Sequence, residues 1–330
     1  MYRGLTNNII CDRIMLYYAK FNKFNGDDIM KKQYVLYNPH ANNGRGEAQA
    51  RTLESKLTDC ELVFCDITQI TSYSEFFASL EADDKLIICG GDGTINRFIN
   101  DTDGLVIPTS VYYYPAGSGN DFAHDMGKTP DDAPFCIDAC LKDLPTVYVN
   151  GLVKKFINGV GYGIDGYCCD VGDEIRRTST KKVNYTNIAI KGVLFHFKPR
   201  TATVTVDGVT TEYKNVWVAP AMNGRFYGGG MMAAPTQDRL NSERELTLVI
   251  FNPKGRIKTL SIFPSIFKGE HINKANSTKL IKGKDIYVKF NCPTALQIDG
   301  ETIRNVTEYR AVSSTLVNST AAEQEATVNA

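Results

Sequence analysis

The sequence predicts an α/β domain built on a mostly parallel sheet, followed by an antiparallel, sandwich-like β domain. Two observations carry this expectation. Between residues 33 and 145, short apolar runs alternate with longer helix-patterned stretches, as when strands of a parallel sheet are joined by helices on both faces. After Thr146, short β-branched and aromatic runs dominate, punctuated by Gly, Asn and Asp, as in antiparallel sandwiches and barrels. The division falls at 30–146 and 147–317. Residues 1–29 read either as an appendage to the fold or as a packing helix over 13–24, and the small, polar tail 318–330 reads as disordered.

In the first half the expected strands are 33–37 (QYVLY), 61–66 (ELVFCD), 85–90 (KLIICG) and 110–115 (SVYYYP). Helices are expected over 46–57, over 73–80, after Thr94, and in segments through Phe122 and 135–141. In the second half the runs VYVN, KKFIN, ATVTVDG, NVWVAPA, ELTLVIF, KDIYVKF and ALQIDG read as strands. Two interruptions, 183–197 and 256–267, look helical.

Composition excludes several classes. Lys and Arg number 37 and Asp and Glu also 37, so no overall basicity argues for nucleic acid. No run reaches the apolar length of a membrane span. Nine cysteines are scattered without a CxxC pair, and four histidines stand well apart. That pattern gives no zinc site and suits reduced thiols in a cytoplasmic protein.

Three Gly/Asn-rich segments follow expected strands: NPHANNGRG at 38–46, GGDGT at 90–94 and AGSGND at 116–121. Open α/β sheets bind ligands beyond the carboxyl ends of their strands. Backbone N–H groups converging before a helix bind phosphate, and glycine permits positive φ and close approach of an anion. Asn38 and Asn42 can hydrogen-bond phosphate or ribose, Thr94 can cap a helix or bind phosphate, and Ser118, Asn120 and Asp121 repeat that chemistry. Asp92 would repel a bare phosphate, and makes sense beside magnesium or a polarised hydroxyl. A lone GGDG could equally be a β-turn; three such loops in succession favour a nucleotide.

NPHANNGRG, GGDGTIN and PAGSGNDFA, in this order, resemble the catalytic domain of the diacylglycerol kinase-like lipid kinases, closest to their soluble bacterial branch. The resemblance continues through FINGVGYGIDG, VAPAMNGRFYGGGMMAAP and ALQIDGE. It implies an ATP- and magnesium-dependent kinase whose active site lies in an interdomain cleft, with a lipid such as diacylglycerol as phosphate acceptor. It puts nucleotide contacts at Asn38, Pro39, His40, Ala41 and Asn42, at Thr68, at Gly91, Asp92, Gly93, Thr94, Ile95, Asn96 and Arg97, and at Ser118. It makes Glu301 the general base, with Asp299 beside it, and Asp92 the magnesium ligand.

A carboxylate near the acceptor hydroxyl suits proton abstraction, and strand alternation would aim Asp299 and Glu301 to one side unless Gly300 makes a turn. The alternative is an Asp-Gly hairpin with Glu301 solvated. Two positions depart from the family. Arg97 stands where a glutamate is usual and suits a surface pair with Asp101. Glu243-Arg244 stands where some members hold a structural magnesium with Asp-Gly, so no second metal is expected.

Asn158 and Asp165 match positions lining the cleft, although Asp165 could simply end a strand. The basic stretch 176–182 and the apolar 194–198 read either as a face for an anionic membrane or as a solvated loop and a core helix. The expected location is cytoplasmic, with peripheral contact at the inner face of the membrane. Competing readings are a small-molecule kinase related to NAD kinase or phosphofructokinase, and a non-catalytic nucleotide- or lipid-binding regulator. The sequence leaves the acceptor and the oligomeric state open.

Overall fold

The computed structural model describes residues 31–178 and 183–316. The expected terminal appendages and half of the basic stretch 176–182 lie outside those residues.

The first sheet contains β1 (Lys32–Tyr37), β2 (Glu61–Asp66), β3 (Lys85–Gly90), β4 (Val111–Pro115) and the short β5 (Phe135–Cys136), in the order β2-β1-β3-β4-β5. The first four are parallel, and β5 is antiparallel to β4. Alternation along β3 shows why the domain has three layers. Leu86 and Ile88 join Leu36, Phe98 and Phe122 in one core, whereas Ile87 and Cys89 join Val35 and Leu53 in another. Side chains two apart share a sheet face, so each face buries its own cluster. The longer helices are α1 (Gly46–Arg51), α2 (Tyr73–Ala78), α3 (Asp92–Asp101) and α4 (Asp121–Asp125). Of the helix expected over 135–141, Asp138–Leu141 forms, whereas Phe135 lies in an edge strand, pairing with Tyr113 and stacking edge-on against it at 5.7 Å.

The second domain is one antiparallel sheet of ten strands, β6 (Thr146–Val149), β7 (Leu152–Lys155), β8 (Gly159–Tyr162), β9 (Arg200–Val206), β10 (Val209–Val216), β11 (Ala221–Met222), β12 (Leu246–Phe251), β13 (Thr278–Gly283), β14 (Asp285–Ile298) and β15 (Glu301–Val312). The expected runs KDIYVKF and ALQIDG fuse into the single strand β14. Its first half pairs with β9 and its last residues with β8, so the sheet folds around one core that includes Tyr162, Phe290 and Tyr309.

A helix that the sequence reading missed, α5 (Ile164–Thr178), follows β8, and the two expected helical interruptions are α6 (Tyr185–Lys191) and α7 (Arg256–Ile262). Each runs on, α6 into a π-helical turn at Gly192–His196 and α7 into a 3-10 segment at Phe263–Lys268.

Candidate functional site

A cavity of about 550 Å³ opens where the two domains meet. One part is lined by three polar turns: Asn38, His40, Ala41 and Asn42 after β1; Gly91, Asp92, Gly93 and Thr94 after β3; and Gly117, Ser118, Gly119 and Asp121 after β4. All three stand at carboxyl ends of parallel strands, two of them flanking the point where the chain switches direction across the sheet. The other part is apolar, with Ile164, Ala189, Val218, Met231, Phe263 and Ile266 on its walls.

The glycines of these turns serve different ends. A Cβ on Gly90 would sit 2.3 Å from Thr94 Oγ1, and one on Gly117 would sit 2.5 Å from the Gly91 Cα. Gly90 makes room for the Thr94 side chain of its own turn, and Gly117 lets the second and third turns pack backbone to backbone. Gly93 is different, because a Cβ there would meet nothing within 4 Å. It lines the cavity at the start of α3, whose first N–H groups have no intrahelical acceptor. The positive φ expected of this turn is absent; in the other two turns the left-handed residues are Asn42 (φ 49°), Gly44 (φ 81°) and Asn120 (φ 54°). Asn120 ties its own turn shut, accepting from Gly117 N–H at 2.9 Å and donating to Gly117 C=O at 3.0 Å.

Four carboxylates face the cavity, each in a different environment. Asp92 Oδ1 accepts from the Phe122 N–H and Asn158 Nδ2, both at 2.9 Å, and Oδ2 from the Asp121 N–H at 3.0 Å. It therefore caps α4 from a neighbouring turn, satisfying donors that the helix leaves free. Asp121 accepts from the Gly229 and Gly230 N–H groups at 2.8 and 2.6 Å. Burial, reinforced by Asp92, pushes its carboxyl up to about 7.

Asp299 is buried and saturated. Its oxygens accept from the N–H groups of Ile157, Asn158 and Gly159 and from Asn96 Nδ2, at 2.7–2.9 Å. Burial raises its pKa, and these donors oppose the rise. Asp165, at the start of α5, is equally buried but has neither oxygen in a hydrogen bond of ordinary geometry. Burial pushes its carboxyl up to about 6, against the nearby Gly166 N–H and Tyr227 hydroxyl. It fits only because residue 161 is glycine: a Cβ there would lie 2.0 Å from Asp165 Oδ2.

The remaining expected residues lie elsewhere. Asp299 (φ 45°) and Gly300 (φ 97°) form a two-residue turn between β14 and β15, where Ile298 pairs with Glu301. Two successive positive φ values are the Asp-Gly hairpin geometry, so the two carboxylates do not share a side. Asp299 turns inward, whereas Glu301 is half-exposed and ion-paired with Lys154. Glu301 is not among the cavity-lining residues, although Gly300 beside it is.

Thr68 donates its backbone N–H and hydroxyl to Asp66, and Arg97 pairs with Asp101 on the surface at 3.2 Å. Ile95 is core, and Asn96 bridges to Asp299. Neither these nor Pro39 and Asn120 line the cavity.

One element escaped the sequence reading. Arg239 is buried, donating to Asp125 Oδ2 at 2.6 Å, to Ile157 C=O at 3.0 Å and to Asn158 Oδ1 at 3.2 Å. Its guanidinium lies over the Phe122 ring at 4.6 Å. No local pattern signals a pair 114 residues apart; a lone arginine in a polar loop reads as solvated.

Comparison with known proteins agrees with this two-part architecture. Residues 32–148 match the diacylglycerol kinase catalytic domain, and residues 158–318 match the YegS C-terminal NAD kinase beta sandwich-like domain. The chain is 28% identical to a diacylglycerol kinase of Mycobacterium tuberculosis over 217 residues, covering 64% of this chain and 67% of that protein. It is 29% identical over 253 residues to a Bacillus subtilis protein provisionally named lipid kinase YtlR, covering 70% of this chain and 77% of that one. A Bacillus anthracis crystal structure provisionally named a diacylglycerol kinase shares the fold, with TM-score 0.61 and 20% identity over 87% of this chain and 96% of that one.

Proposed function

The chain belongs to the diacylglycerol kinase-like lipid kinase family, and from that premise we propose that it transfers the γ-phosphate of ATP, with magnesium, to a hydroxyl of a membrane lipid such as diacylglycerol. The observation that carries this reading is a single cavity with three polar turns at one part and an apolar wall at the other. A nucleotide needs the first, and an acyl chain needs the second.

In this reading the polar turns hold the triphosphate through Asn38 and Asn42, through the Gly93 backbone at the start of α3, and through Ser118. The open face at Gly93 suits an anion whose approach a side chain would block. Asp92 Oδ2 accepts only one hydrogen bond, which leaves it room for magnesium; the ion is commonly held by one or two carboxylates plus substrate phosphates. When bound, the metal neutralises phosphate charge. The chain's own work is then positioning, which dominates catalysis of phosphoryl transfer.

Asp165 supports the acceptor side. A buried carboxyl with neither oxygen in a hydrogen bond of ordinary geometry has room for a further donor, and a lipid hydroxyl is one. Glu301, beside the cavity-lining Gly300, remains the proposed general base, its carboxylate released from Lys154 when the acceptor binds.

The test is an acceptor screen with labelled ATP against extracted cellular lipids, followed by mass identification of the product. A phosphorylated lipid is expected. Labelling of NAD or a sugar phosphate, with no lipid product, favours the small-molecule kinase instead, and nucleotide binding without any product favours the regulator.

A further inference from the structure

We infer that the surface built by the π-helical turn after α6 and by α7 with its 3-10 extension is a docking face for an anionic bilayer, set at the mouth of the apolar cavity. The inference deepens the lipid-kinase reading and rests on it for its purpose, although the surface itself is observed independently.

Phe195 and Ile257 are the most conspicuous members, 72% and 87% exposed, and Ile190 and Phe267 are also exposed. The two elements are joined: Arg256 donates to the carbonyls of Val193 and Phe197. Phe195 lies between those two residues and Ile257 directly follows the arginine, which brings the exposed side chains into one neighbourhood. Isolated exposed apolar residues need no explanation, but a cluster on adjoining elements marks a contact surface.

Charge identifies what it contacts. The chain as a whole is balanced, yet residues 183–200 and 251–269 contain seven Lys and Arg and no Asp or Glu. Arg256 and Arg200 are used internally, the latter bonding Thr294 at 3.1 Å. Lys191, Lys198, Lys254, Lys258 and Lys268 are exposed, and none forms a salt bridge among the described residues. An apolar tip fringed by unpaired lysines is complementary to a bilayer with anionic headgroups.

Continuity with the cavity supplies the reason for the position. Phe267 both lines the cavity and reaches the surface, while Ala189 on the wall adjoins exposed Ile190. A bilayer held here would meet the apolar part of the cavity without an aqueous gap for the acyl chains to cross.

The test is flotation with vesicles of phosphatidylcholine alone and of phosphatidylcholine mixed with phosphatidylglycerol. Wild type is expected to float only with the anionic vesicles, and less as salt rises. The double variant Lys254→Glu/Lys258→Glu should lose on the order of thirtyfold in vesicle affinity, since each lysine near such a surface contributes roughly a factor of five. Phe195→Ser/Ile257→Ser should also bind weakly, with melting temperature unchanged because both side chains are exposed.

Turnover on an acceptor dissolved in detergent micelles separates this inference from the kinase reading. Both double variants should keep the micellar rate and lose the rate on vesicles. Lost flotation in the variants without any micellar turnover in wild type would remove the kinase reading and leave the face intact. Wild type that fails to float, floats equally with neutral vesicles, or is matched by both variants would overturn the docking face.

Discussion

Asn158 joins Asp92 to Arg239: its Nδ2 donates to Asp92 Oδ1 at 2.9 Å, and its Oδ1 accepts from Arg239 Nη2 at 3.2 Å. The arginine fixes which way the amide points, so a residue of the second domain presents a donor to the carboxylate at the polar turns. The relay puts Asp92 in register with the other half of the cavity. Asn158→Ala should lower stability by about 1–3 kcal/mol through the two lost bonds, and should reduce turnover. Asn158→Asp should be worse at neutral pH, because it opposes one carboxylate with another. Its melting temperature should recover on acidification as the introduced carboxyl is protonated, whereas that of the alanine variant should not; thermal melts at two pH values read the difference.

Gly93 and Gly117 separate a cavity-facing glycine from a packing glycine. Gly93→Ala meets no atom within 4 Å and stands in the first turn of a helix, where alanine is favoured over glycine by up to about 1 kcal/mol. Its stability should hold or rise, while nucleotide affinity falls. Gly117→Ala must displace the backbone at Gly91, and should lose about 1–3 kcal/mol of stability, as overpacked sites do. Urea titration and a fluorescent-nucleotide assay give the two readouts. Gly93→Ala with undiminished nucleotide binding would contradict the assignment of this turn.

How far the sequence could be read depended on how local the controlling interaction was. The strands of the first domain were legible because buried parallel strands are continuous apolar runs ended by glycine, as in KLIICG. The helix Ile164–Thr178 was not, because the strand end and first turn it starts from, GYGIDGY, carry three glycines and its last residues are charged and exposed. The three polar turns announced themselves, but the reason for most of their glycines did not. The Gly91–Gly117 contact is tertiary. Likewise β-alternation suggested that Asp299 and Glu301 share a side, and the hairpin at Asp299-Gly300 overrode it.

Asp165 gives the site a pH signature. Its folded-state pKa of about 6 lies above the ordinary carboxylate value near 3.9. The native state therefore binds a proton more tightly than the unfolded chain, and stability falls as pH rises from about 4 to about 6. The full penalty is present above the folded pKa, on the order of 2–3 kcal/mol for a shift of this size. Asp165→Asn removes that charge. It should be more stable than wild type at pH 8, nearly equal to it below pH 4, and flatter in between, as read by denaturant midpoints across pH. If Asp165 receives the acceptor's hydroxyl, the same variant raises KM for the lipid and leaves nucleotide affinity unchanged.

Asp299 and Glu301 stand two residues apart and should respond in opposite ways. Asp299→Asn keeps the size of the side chain and a residue type tolerant of positive φ, but each carboxylate oxygen accepts from two donors, and the amide nitrogen that replaces one of them cannot accept from its pair. Buried N–H groups left unpaired cost about 1–3 kcal/mol each, so this variant should unfold at markedly lower urea concentration. Glu301→Gln breaks only a half-exposed pair with Lys154, which contributes at most about 1 kcal/mol; its unfolding curve should overlay that of wild type. On the proposal that Glu301 is the general base, its loss affects turnover rather than the fold. Glu301→Gln should bind nucleotide normally and turn over at roughly one hundredth of the wild-type rate or less. A glutamine variant with near wild-type turnover on the identified acceptor would move the base to another carboxylate, and Asp121, which burial and Asp92 push up to about 7, is the one whose protonation would then govern the rate near neutral pH.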